Sequence, residues 1–576
     1  MQDDQSNTDP QSSVPTPPKA EPETNNLDLT LPEPPNEPEK PSRFFQIKTW
    51  IVEHKKVSIP IALLCLIIIL AAIPWSRYQL AGLVIKKDFQ IQVMDQTAGT
   101  PVSGAAVASG NESGQTNGNG IAVLHLPVGK HQFKVTKKYY ITGHVAATVP
   151  LFGRKSTKLE LVATGRQVRV TLKDTLSGKA LSDVDILVAD ISARTDVDGK
   201  ALLVVPAGVS KEQANLSLAG YNDTTATLTI SDKNIEDNPL NMTPVGKVYF
   251  LSKRTGKLNV MKANLDGTDP EVVVAATGQE QVDSSALSQS PDGRYVALET
   301  QRSAADKVPQ LYVISTADDR LLTFDSGDFD FSIVGWSGDD LVYRVSNNEA
   351  PAWQAGQQKI KSYDASTGKT YIIDSSAGTD PDKSAGESYG EVFLTASKVV
   401  FDKSWGSNGS DTLDGRKNTV MIADPTGQNK QTVSNYDASS TNILMFQYAP
   451  NGFYIESDDS GTGDSTYYDY IPGGGLKKIN APTSDQLYSN PTYYFSPQGN
   501  QTYWSERRDG KSTLITADAY GSAGSQKILS VGYEAAGWYT DKYVLATNDD
   551  QNELYILSAS GGKPVKISDY QSTYIY

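Results

Sequence analysis

Cysteine and histidine are nearly absent from this chain of 576 residues. The single cysteine, Cys65, excludes an intrachain disulfide framework, a cysteine-ligated zinc site and an iron–sulfur cluster. The four histidines, at 54, 125, 131 and 144, leave the last three-quarters of the chain without an imidazole. That part therefore has no histidine to act as a general base or a metal ligand. We expect no metal site and no cofactor.

Basic residues are outnumbered as well. The sequence holds 52 Lys and Arg residues against 67 Asp and Glu residues, which gives a formal net charge of −15 at pH 7. Nucleic acid carries a dense negative charge and repels such a protein. We therefore expect no nucleic-acid partner.

Aliphatic residues are rare in residues 1–42, which contain ten of the 30 prolines. A segment of this composition buries too little apolar surface to offset the entropy cost of folding. We predict a disordered, Pro-rich, acidic tail over 1–42. The alternative is a polyproline II segment that the aromatic groove of a partner recognises.

One long uncharged run follows this tail. Residues 57–75 read VSIPIALLCLIIILAAIPW, and as a helix they would extend about 28 Å, close to the thickness of a bilayer core. The run starts far from Met1 and lacks a small-residue cleavage site, so we predict an uncleaved transmembrane helix rather than a signal peptide. A buried core helix is the alternative.

Basic residues flank the run. Four lie in residues 43–56, and three lie between residues 77 and 87. We interpret 43–56 as a basic juxtamembrane segment at the inner interface. The prediction is a single-pass protein of a bacterial cell membrane, with the lipid bilayer as a partner, a cytoplasmic N-terminus and extracellular C-terminal domains.

A repeat begins after the apolar run, where apolar and polar residues alternate as in half-buried strands. The spacing from Gly120 to Gly199 equals the spacing from Gly129 to Gly208. Each copy has a turn rich in Asn, Asp and Gly, which a tight hairpin requires. A period of this length predicts two tandem β-sandwich domains, over 88–163 and 166–243.

The second copy keeps a fuller set of motifs, with Thr195-Asp-Val-Asp-Gly199 at the hairpin, Pro206-Ala-Gly208 at a turn and Gly220-Tyr221 near its end. These motifs resemble the carboxypeptidase regulatory-like, or PEGA-like, β-sandwich family. The first copy has Tyr139-Tyr140 in place of Gly-Tyr. The resemblance implies spacer or adhesion modules without catalysis. We interpret Asp196 and Asp198 as turn residues rather than calcium ligands.

Residues 244–576 contain a recurring strand–turn–strand unit. Units of four short strands predict a β-propeller, with seven blades favoured and six as the alternative. The turns that mark the units are 243–246, 290–293, 336–339, 395–398, 449–452, 496–499 and 539–542.

One unit reads Ser290-Pro-Asp-Gly-Arg-Tyr-Val-Ala297. This pattern resembles the blades of TolB-like, WD-repeat-like propellers, and the resemblance implies the fold but no particular function. We predict that the β-prone residues 571–576 supply the inner strand of the first blade, which would pair the two ends of the ring. The expected fold is thus mainly all-β, with one transmembrane helix.

Four segments between strands are long for a compact domain, namely 346–358, 374–390, 403–418 and 457–466. The strand order predicts that they open on one face of the propeller, and long loops often carry function. We predict a recognition surface there, with mobile decoration as the alternative. Its candidate binding residues are Trp353, Trp405, Asp411, Asp414, Asp458, Asp459 and Asp464.

No catalytic residue is predicted. Gly335-Trp-Ser-Gly-Asp339 imitates a nucleophile elbow, but its last position is Asp and no histidine follows. Carboxylate-pair chemistry stays open, because the separations of Asp and Glu cannot be read from sequence. The expected function is membrane-anchored binding or scaffolding of a protein or glycan at the cell surface, with the sandwiches as a stalk. The alternatives are a surface hydrolase or lyase acting in the propeller channel, and a sensor.

Overall fold

The computed structural model describes most of the chain after residue 84. The described residues are 84–153, 156–206, 208–231, 235–351, 353–379, 385–395, 398–407, 412–471, 474–482 and 494–569, with 56, 60, 63–66, 68–69 and 82. Met1–Leu80 and Ala81–Tyr576 form two separate compact units. The second unit is built of β-strands, so the mainly β character of the chain is as predicted.

The predicted transmembrane helix is wrong. Among the described residues, no helix is long and apolar enough to cross a membrane, which takes about 20 consecutive residues. Within 57–75, residues 60, 63–66 and 68–69 are helical, and the others lie outside the described residues. The predicted localisation, that of a single-pass membrane protein, depended on this helix and is therefore wrong as well. The predicted tail over 1–42 and, apart from Lys56, the segment 43–56 also lie outside the described residues.

The first seven strands of the second unit form two sheets, here called the first module. They are β1 (Lys86–Asp95), β2 (Ala106–Ser109), β3 (Glu112–Gln115), β4 (Ile121–Pro127), β5 (Gly129–Thr136), β6 (Gly143–Val149) and β7 (Ser156–Leu161). The sheet orders are β4-β1-β7 and β3-β2-β5-β6, and β1 runs parallel to β7. Alternate residues of β1 are buried, and Phe89 stacks on Phe133 of the other sheet with ring centroids 5.6 Å apart.

The next seven strands repeat this arrangement and form the second module. They are β8 (Arg166–Asp174), β9 (Asp185–Val188), β10 (Ile191–Arg194), β11 (Lys200–Val205), β12 (Lys211–Ser217), β13 (Thr224–Thr229) and β14 (Glu236–Met242). The sheet orders are β11-β8-β14 and β10-β9-β12-β13, the same as in the first module shifted by seven strands. Val168, Val170 and Leu172 of one sheet pack on Ile186 and Leu216 of the other.

A buried threonine ties each module together in the same way. The Oγ1 atom of Thr116 accepts a hydrogen bond from the backbone N–H of Ala105 at 2.8 Å and donates to the carbonyl of Val102 at 2.6 Å. Thr195, at the corresponding position of the second copy, makes the equivalent bonds to Val184 at 2.9 Å and Leu181 at 2.7 Å. The two copies of the sequence repeat therefore make the same buried hydrogen bonds at corresponding positions.

The hairpin turns after these threonines are also equivalent. Asn117 Oδ1 accepts hydrogen bonds from the backbone N–H groups two and four residues later, at 3.0 and 3.1 Å. Asp196 Oδ1 does the same in the second module, at 3.0 and 2.9 Å. The interpretation of Asp196 as a turn residue is confirmed by these bonds.

The remaining strands form seven sheets that follow one another along the chain. Sheet 1 contains β15 (Lys247–Ser252), β16 (Asn259–Asn264) and β17 (Glu271–Val274), and a 3₁₀ turn follows at Val282–Ser284. Sheet 2 contains β18 (Ala286–Gln289), β19 (Tyr295–Thr300), β20 (Gln310–Ser315) and β21 (Leu321–Asp325). Sheet 3 contains β22 (Asp330–Ser337), β23 (Asp340–Ser346), β24 (Gln358–Asp364) and β25 (Lys369–Ser375). Sheet 4 contains β26 (Ala385–Leu394), β27 (Val399–Ser407), β28 (Lys417–Ala423) and β29 (Gln431–Asp437).

The last three sheets have four described strands each. Sheet 5 contains β30 (Thr441–Ala449), β31 (Gly452–Asp459), β32 (Ser465–Ile471) and β33 (Gly475–Ile479). Sheet 6 contains β34 (Tyr494–Phe495), β35 (Gln501–Arg508), β36 (Lys511–Asp518) and β37 (Lys527–Val531). Sheet 7 contains β38 (Tyr533–Thr540), β39 (Tyr543–Asn548), β40 (Leu554–Ser558) and β41 (Val565–Ser568). All seven sheets are antiparallel with strands in chain order.

The seven sheets close into a ring, which is a β-propeller. Val248 and Phe250 of sheet 1 share one buried cluster with Leu545 and Ile556 of sheet 7. The hydroxyl of Tyr539 in sheet 7 donates to the carbonyl of Lys247 in sheet 1 at 3.1 Å. Sheet 1 shows three described strands, and the residues 571–576 predicted to complete it lie outside the described residues.

The second module is fixed to the ring at the junction between sheets 1 and 7. Leu176, in the turn after β8, is fully buried in the cluster that joins these two sheets. The carboxylate of Asp174 holds this turn by accepting the backbone N–H groups of Leu176 at 2.9 Å and Ser177 at 2.6 Å. A Cβ atom on Gly562, between β40 and β41, would lie 2.3 Å from the carbonyl oxygen of Leu176. Only glycine allows so close an approach.

Candidate functional site

The strand order defines two faces of the ring. In each four-stranded sheet, the turns between the first and second strands and between the third and fourth strands lie on one face, here called the turn face. The connections between the second and third strands, and those to the next sheet, lie on the opposite face, here called the loop face. The predicted recognition residues that the structure describes belong to the loop face.

The two predicted tryptophans are half-buried. Trp353 lies in a turn between β23 and β24, where its carbonyl packs closely on Gly378. Trp405 lies on β27 rather than in a loop, because this strand extends to Ser407 by pairing with β26. The guanidinium carbon of Arg416 lies 4.0 Å from the centroid of the Trp405 ring. This cation–π contact already uses one face of the indole.

The predicted aspartates shape their own loop. Asp459 Oδ1 accepts the backbone N–H groups of Gly461 at 2.8 Å and Thr462 at 3.1 Å, and Asp458 accepts the hydroxyl of Ser465. Asp464 is exposed, as is Asp414, while Asp411 lies outside the described residues. In the described part of the chain, no three His, Cys, Asp or Glu residues come together as a metal site.

A buried ionic network joins sheets 3 and 4. Asp374 accepts from the Nζ atoms of Lys430 at 2.6 Å and Lys403 at 3.1 Å and from the hydroxyl of Tyr389 at 2.7 Å. Lys403 also pairs with Glu387 at 2.7 Å. Burial alone would raise the pKa of Asp374, but its hydrogen bonds with Lys430 and Tyr389 hold that pKa below its usual value. Because the charges satisfy one another, we assign this network a structural role.

A cavity lies on the turn face, opposite the predicted surface. It has a volume of about 500 Å³ and is centred on the ring. Its wall is formed where the first strands of sheets 2 to 7 end and by the turns that follow. Six of the seven sheets therefore contribute to one site.

Two Gly-Trp pairs place indole rings in this wall. Gly335-Trp336 in sheet 3 and Gly537-Trp538 in sheet 7 each follow a register shift in the first strand, and both glycines have positive φ angles, 145° and 132°. A β-bulge of this kind redirects the side chains that follow it. The bulge and the glycine together turn each tryptophan toward the cavity.

Side chains of the wall are held by carbonyl oxygens of the preceding sheet. Trp336 Nε1 donates to Ser288 at 3.1 Å, and Trp538 Nε1 donates to Tyr494 at 2.8 Å. Gln447 Nε2 donates to Leu394 at 2.8 Å in the same way. The rings are therefore fixed before any ligand arrives, which lowers the entropy cost of binding.

The Ser-Pro-x-Gly turns of sheets 2 and 6 form further parts of the wall. In both turns the backbone N–H of the glycine donates to the carbonyl of the serine, at 2.9 Å for Gly293 and 2.7 Å for Gly499. Both serine side chains are buried. The motif that marked the blades in the sequence thus also builds the site.

The cavity is neutral in a strongly acidic protein. Its described wall holds aromatic rings, hydroxyls, amides, prolines and glycines, and it includes no Asp, Glu, Lys, Arg or His side chain. The side chains of Gln289, Ser337 and Gln498 have no hydrogen-bond partner among the described residues. These groups remain able to donate to and accept from a ligand.

Sequence reasoning placed the recognition surface on the loop face, from loop length, and did not include Trp336 or Trp538. The signal for these two residues was present as the Gly-Trp pair at corresponding positions of two units. Gly335–Asp339, which imitates a nucleophile elbow, is the end of β22 and the turn to β23, so Ser337 lies on a strand–turn–strand unit rather than a strand–turn–helix.

Comparisons with known proteins find distant solved structures and no family. No protein-family model matches the chain, and no curated protein matches it. An oligogalacturonate lyase in complex with manganese is 13% identical over 56% of this chain and 84% of its own, with a TM-score of 0.32. The β-propeller domain of the Trilobed protease from Pyrococcus furiosus is 10% identical over 63% of this chain and 95% of its own, with a TM-score of 0.33.

A structure from Agrobacterium tumefaciens assigned as TolB is 13% identical over 57% of this chain and 92% of its own, with a TM-score of 0.26. Similarity this low says nothing about ligand or reaction. The predicted β-propeller is confirmed by the closed ring of seven sheets, and TolB-like propellers are among the structures similar to it. The family predicted for the two modules stays a prediction.

Proposed function

We propose that this protein is a binding protein whose propeller takes an uncharged ligand in the cavity of the turn face. The observation that carries the proposal is the wall itself, with two indole rings fixed by neighbouring carbonyls and three polar side chains without partners among the described residues. Ligand sites typically combine such apolar surface with a few placed polar groups. The net charge of −15 further disfavours an anionic ligand.

A hydrolase or lyase in the channel is the alternative function. Such an enzyme needs a group at the wall that moves a proton or attacks the substrate. The carboxylate of Asp292, in the Ser-Pro-Asp-Gly turn that contributes to the wall, is engaged by Ser290 at 2.8 Å and by Arg294. Binding without turnover is therefore the function that the described wall supports better.

Trp336→Ala and Trp538→Ala test the site. Ligands of the full-length protein are first found on glycan and uncharged-peptide arrays, and affinities are then measured by calorimetry. Each substitution should weaken binding at least tenfold, because central aromatic anchors often contribute about 2 kcal/mol or more. Trp336→Phe should retain part of the affinity, since it keeps a ring but loses the bond to Ser288.

Trp405→Ala is the matched control, because Trp405 is a half-buried tryptophan on the loop face. Its affinity should equal that of the unaltered protein. If Trp405→Ala weakens binding and Trp336→Ala does not, the loop face is the recognition surface and the proposal is wrong. Release of product from a captured glycan or peptide would favour the alternative function.

A further inference from the structure

The wall of the cavity contains one arrangement twice. Half-site A consists of residues 288–293 from sheet 2 and 335–339 from sheet 3. Half-site B consists of residues 494–499 from sheet 6 and 537–541 from sheet 7. In each half-site, a Ser-Pro-x-Gly turn of one sheet is joined to a Gly-Trp pair of the next sheet. The two half-sites are therefore built from the same pair of motifs.

The hydrogen bonds within the two half-sites also correspond. Trp336 donates its indole N–H to the carbonyl of the residue that lies two positions before the turn serine, and Trp538 does the same. The turn serines, Ser290 and Ser496, each donate their backbone N–H across the hairpin to a carbonyl at 2.9 Å. The two indole rings therefore have equivalent positions relative to their turns.

An aspartate three residues after each tryptophan completes the correspondence. Asp339 accepts from the guanidinium of Arg294 at 2.5 Å in half-site A, and Asp541 accepts from the backbone N–H of Gln498 at 3.0 Å in half-site B. Each aspartate thus joins its own sheet to the turn of the preceding sheet. The wall of the cavity therefore repeats with a step of four sheets, from sheets 2 and 3 to sheets 6 and 7.

The two half-sites face the cavity from opposite sides. The ring has seven sheets, and its first and last sheets are in contact. Sheets 3 and 7 are three steps apart by the shorter way round, which is the greatest separation that a ring of seven allows. Because Trp336 and Trp538 both line one continuous cavity, a ligand that fills it meets an indole ring on each side.

We propose that the cavity binds an uncharged oligosaccharide through two of its sugar units, with one unit on Trp336 and the other on Trp538. The inference rests on the proposed function of the cavity and adds the class of the ligand. The C–H face of a sugar ring is apolar and packs on an aromatic ring. Two equivalent half-sites in one cavity suit a ligand that is made of two similar units.

The polar groups of the wall favour a sugar over a proline-rich peptide. Such a peptide also packs on aromatic side chains, but it offers many carbonyl acceptors and few N–H donors. The two indole N–H groups that could donate to those carbonyls are already bonded within the wall. The side chains without a partner among the described residues, those of Gln289, Ser337 and Gln498, both donate and accept, as sugar hydroxyls do.

The half-sites differ in the residues next to their shared motifs. The residue before the turn serine is Gln289 in half-site A and Phe495 in half-site B. The residue after the tryptophan is Ser337 in half-site A and Tyr539 in half-site B. All four residues line the cavity. Half-site A is thus the more polar and half-site B the more aromatic, which gives the bound ligand one direction.

Calorimetry of the full-length protein tests the proposal with neutral sugars of one and two units. The probes are glucose, mannose and xylose, and the disaccharides cellobiose, maltose, mannobiose and xylobiose. An acetylated and amidated tetraproline peptide is a separate arm. One of the disaccharides should bind with a stoichiometry of one and at least about tenfold more tightly than its monosaccharide, because it meets both rings.

Trp336→Ala and Trp538→Ala should each weaken binding of that disaccharide at least about tenfold and change the affinity for the monosaccharide less than about twofold. Trp336→Phe and Trp538→Phe keep an aromatic ring, so each should retain part of the affinity, and they control for misfolding of the alanine variants. Trp405→Ala, on the loop face, is the matched control and should change neither affinity.

Several outcomes would overturn the proposal. If one alanine variant abolishes disaccharide binding and the other leaves it unchanged, the two-ring arrangement is wrong, while the cavity remains the proposed site. A stoichiometry of two would show that the half-sites bind separate molecules. If the tetraproline peptide binds in a Trp336-dependent way and no sugar does, the sugar assignment is wrong and the proposed function stands. If no probe binds, the sugar assignment is wrong, and the array measurements decide the proposed function separately.

Discussion

The two modules share a framework but differ in how they join the next part of the chain. Thr116 and Thr195 make equivalent bonds, and Asp95 and Asp174, at corresponding positions of the repeat, hold equivalent turns. The turn of Asp95 meets the second module through a polar contact, in which Gln167 Nε2 donates to Asp95 Oδ2 at 2.7 Å. The turn of Asp174 instead carries Leu176 into the core of the ring. The same turn of the repeat thus makes a polar contact between the two modules and an apolar contact between the second module and the ring.

Leu176→Ala should disrupt the apolar contact between the second module and the ring, and it should lower the free energy of unfolding more than the other substitutions do. Removing a fully buried leucine costs about 2–5 kcal/mol of the free energy of unfolding, because a cavity remains. Urea unfolding of the full chain measures the loss. Leu187→Ala, at a leucine of the second module that is 46% exposed, is the control and should cost much less. Equal losses would contradict a docked junction.

Thr116→Val and Thr195→Val test whether the equivalent hydrogen bonds stabilise the two modules equally. Each replacement leaves a buried N–H and a buried carbonyl without its side-chain partner, so each should cost about 1–3 kcal/mol. Because the bonds are equivalent, the two losses, measured by urea unfolding, should agree closely. Thr227→Val, on the exposed side of β13, should change the unfolding free energy little. Unequal losses at 116 and 195 would show that the modules are not energetically equivalent.

Gln167→Ala should lower the free energy of unfolding least among these substitutions. It removes one partly buried hydrogen bond to Asp95, which keeps its bonds to the N–H groups of Thr97 and Ala98 at 2.9 and 2.7 Å. A loss of about 1 kcal/mol is expected, measured with Gln213→Ala as the exposed control. A loss as large as that of Leu176→Ala would remove the distinction between the two joints.

Much of the fold could be predicted because its signals are local. Turn motifs before the second strand of each unit gave the number of sheets, and two glycine pairs gave the module period. The transmembrane prediction depended on the length and apolarity of one run, and it was wrong because no helix among the described residues is long and apolar enough to cross a membrane. The cavity of the turn face was not predicted, because the face was chosen by loop length and the Gly-Trp pairs were not used. The inward turn of Trp336 itself depends on a register shift between Ile333 and Gly335.

The bound indole N–H groups have a consequence for selectivity. Trp336 and Trp538 donate their N–H groups to neighbouring carbonyls, so a ligand meets them only as flat apolar plates. Such surfaces select ligands that present a flat apolar face. Recognition of the ligand's polar groups would then depend on Gln289, Ser337 and Gln498, whose side chains have no hydrogen-bond partner among the described residues.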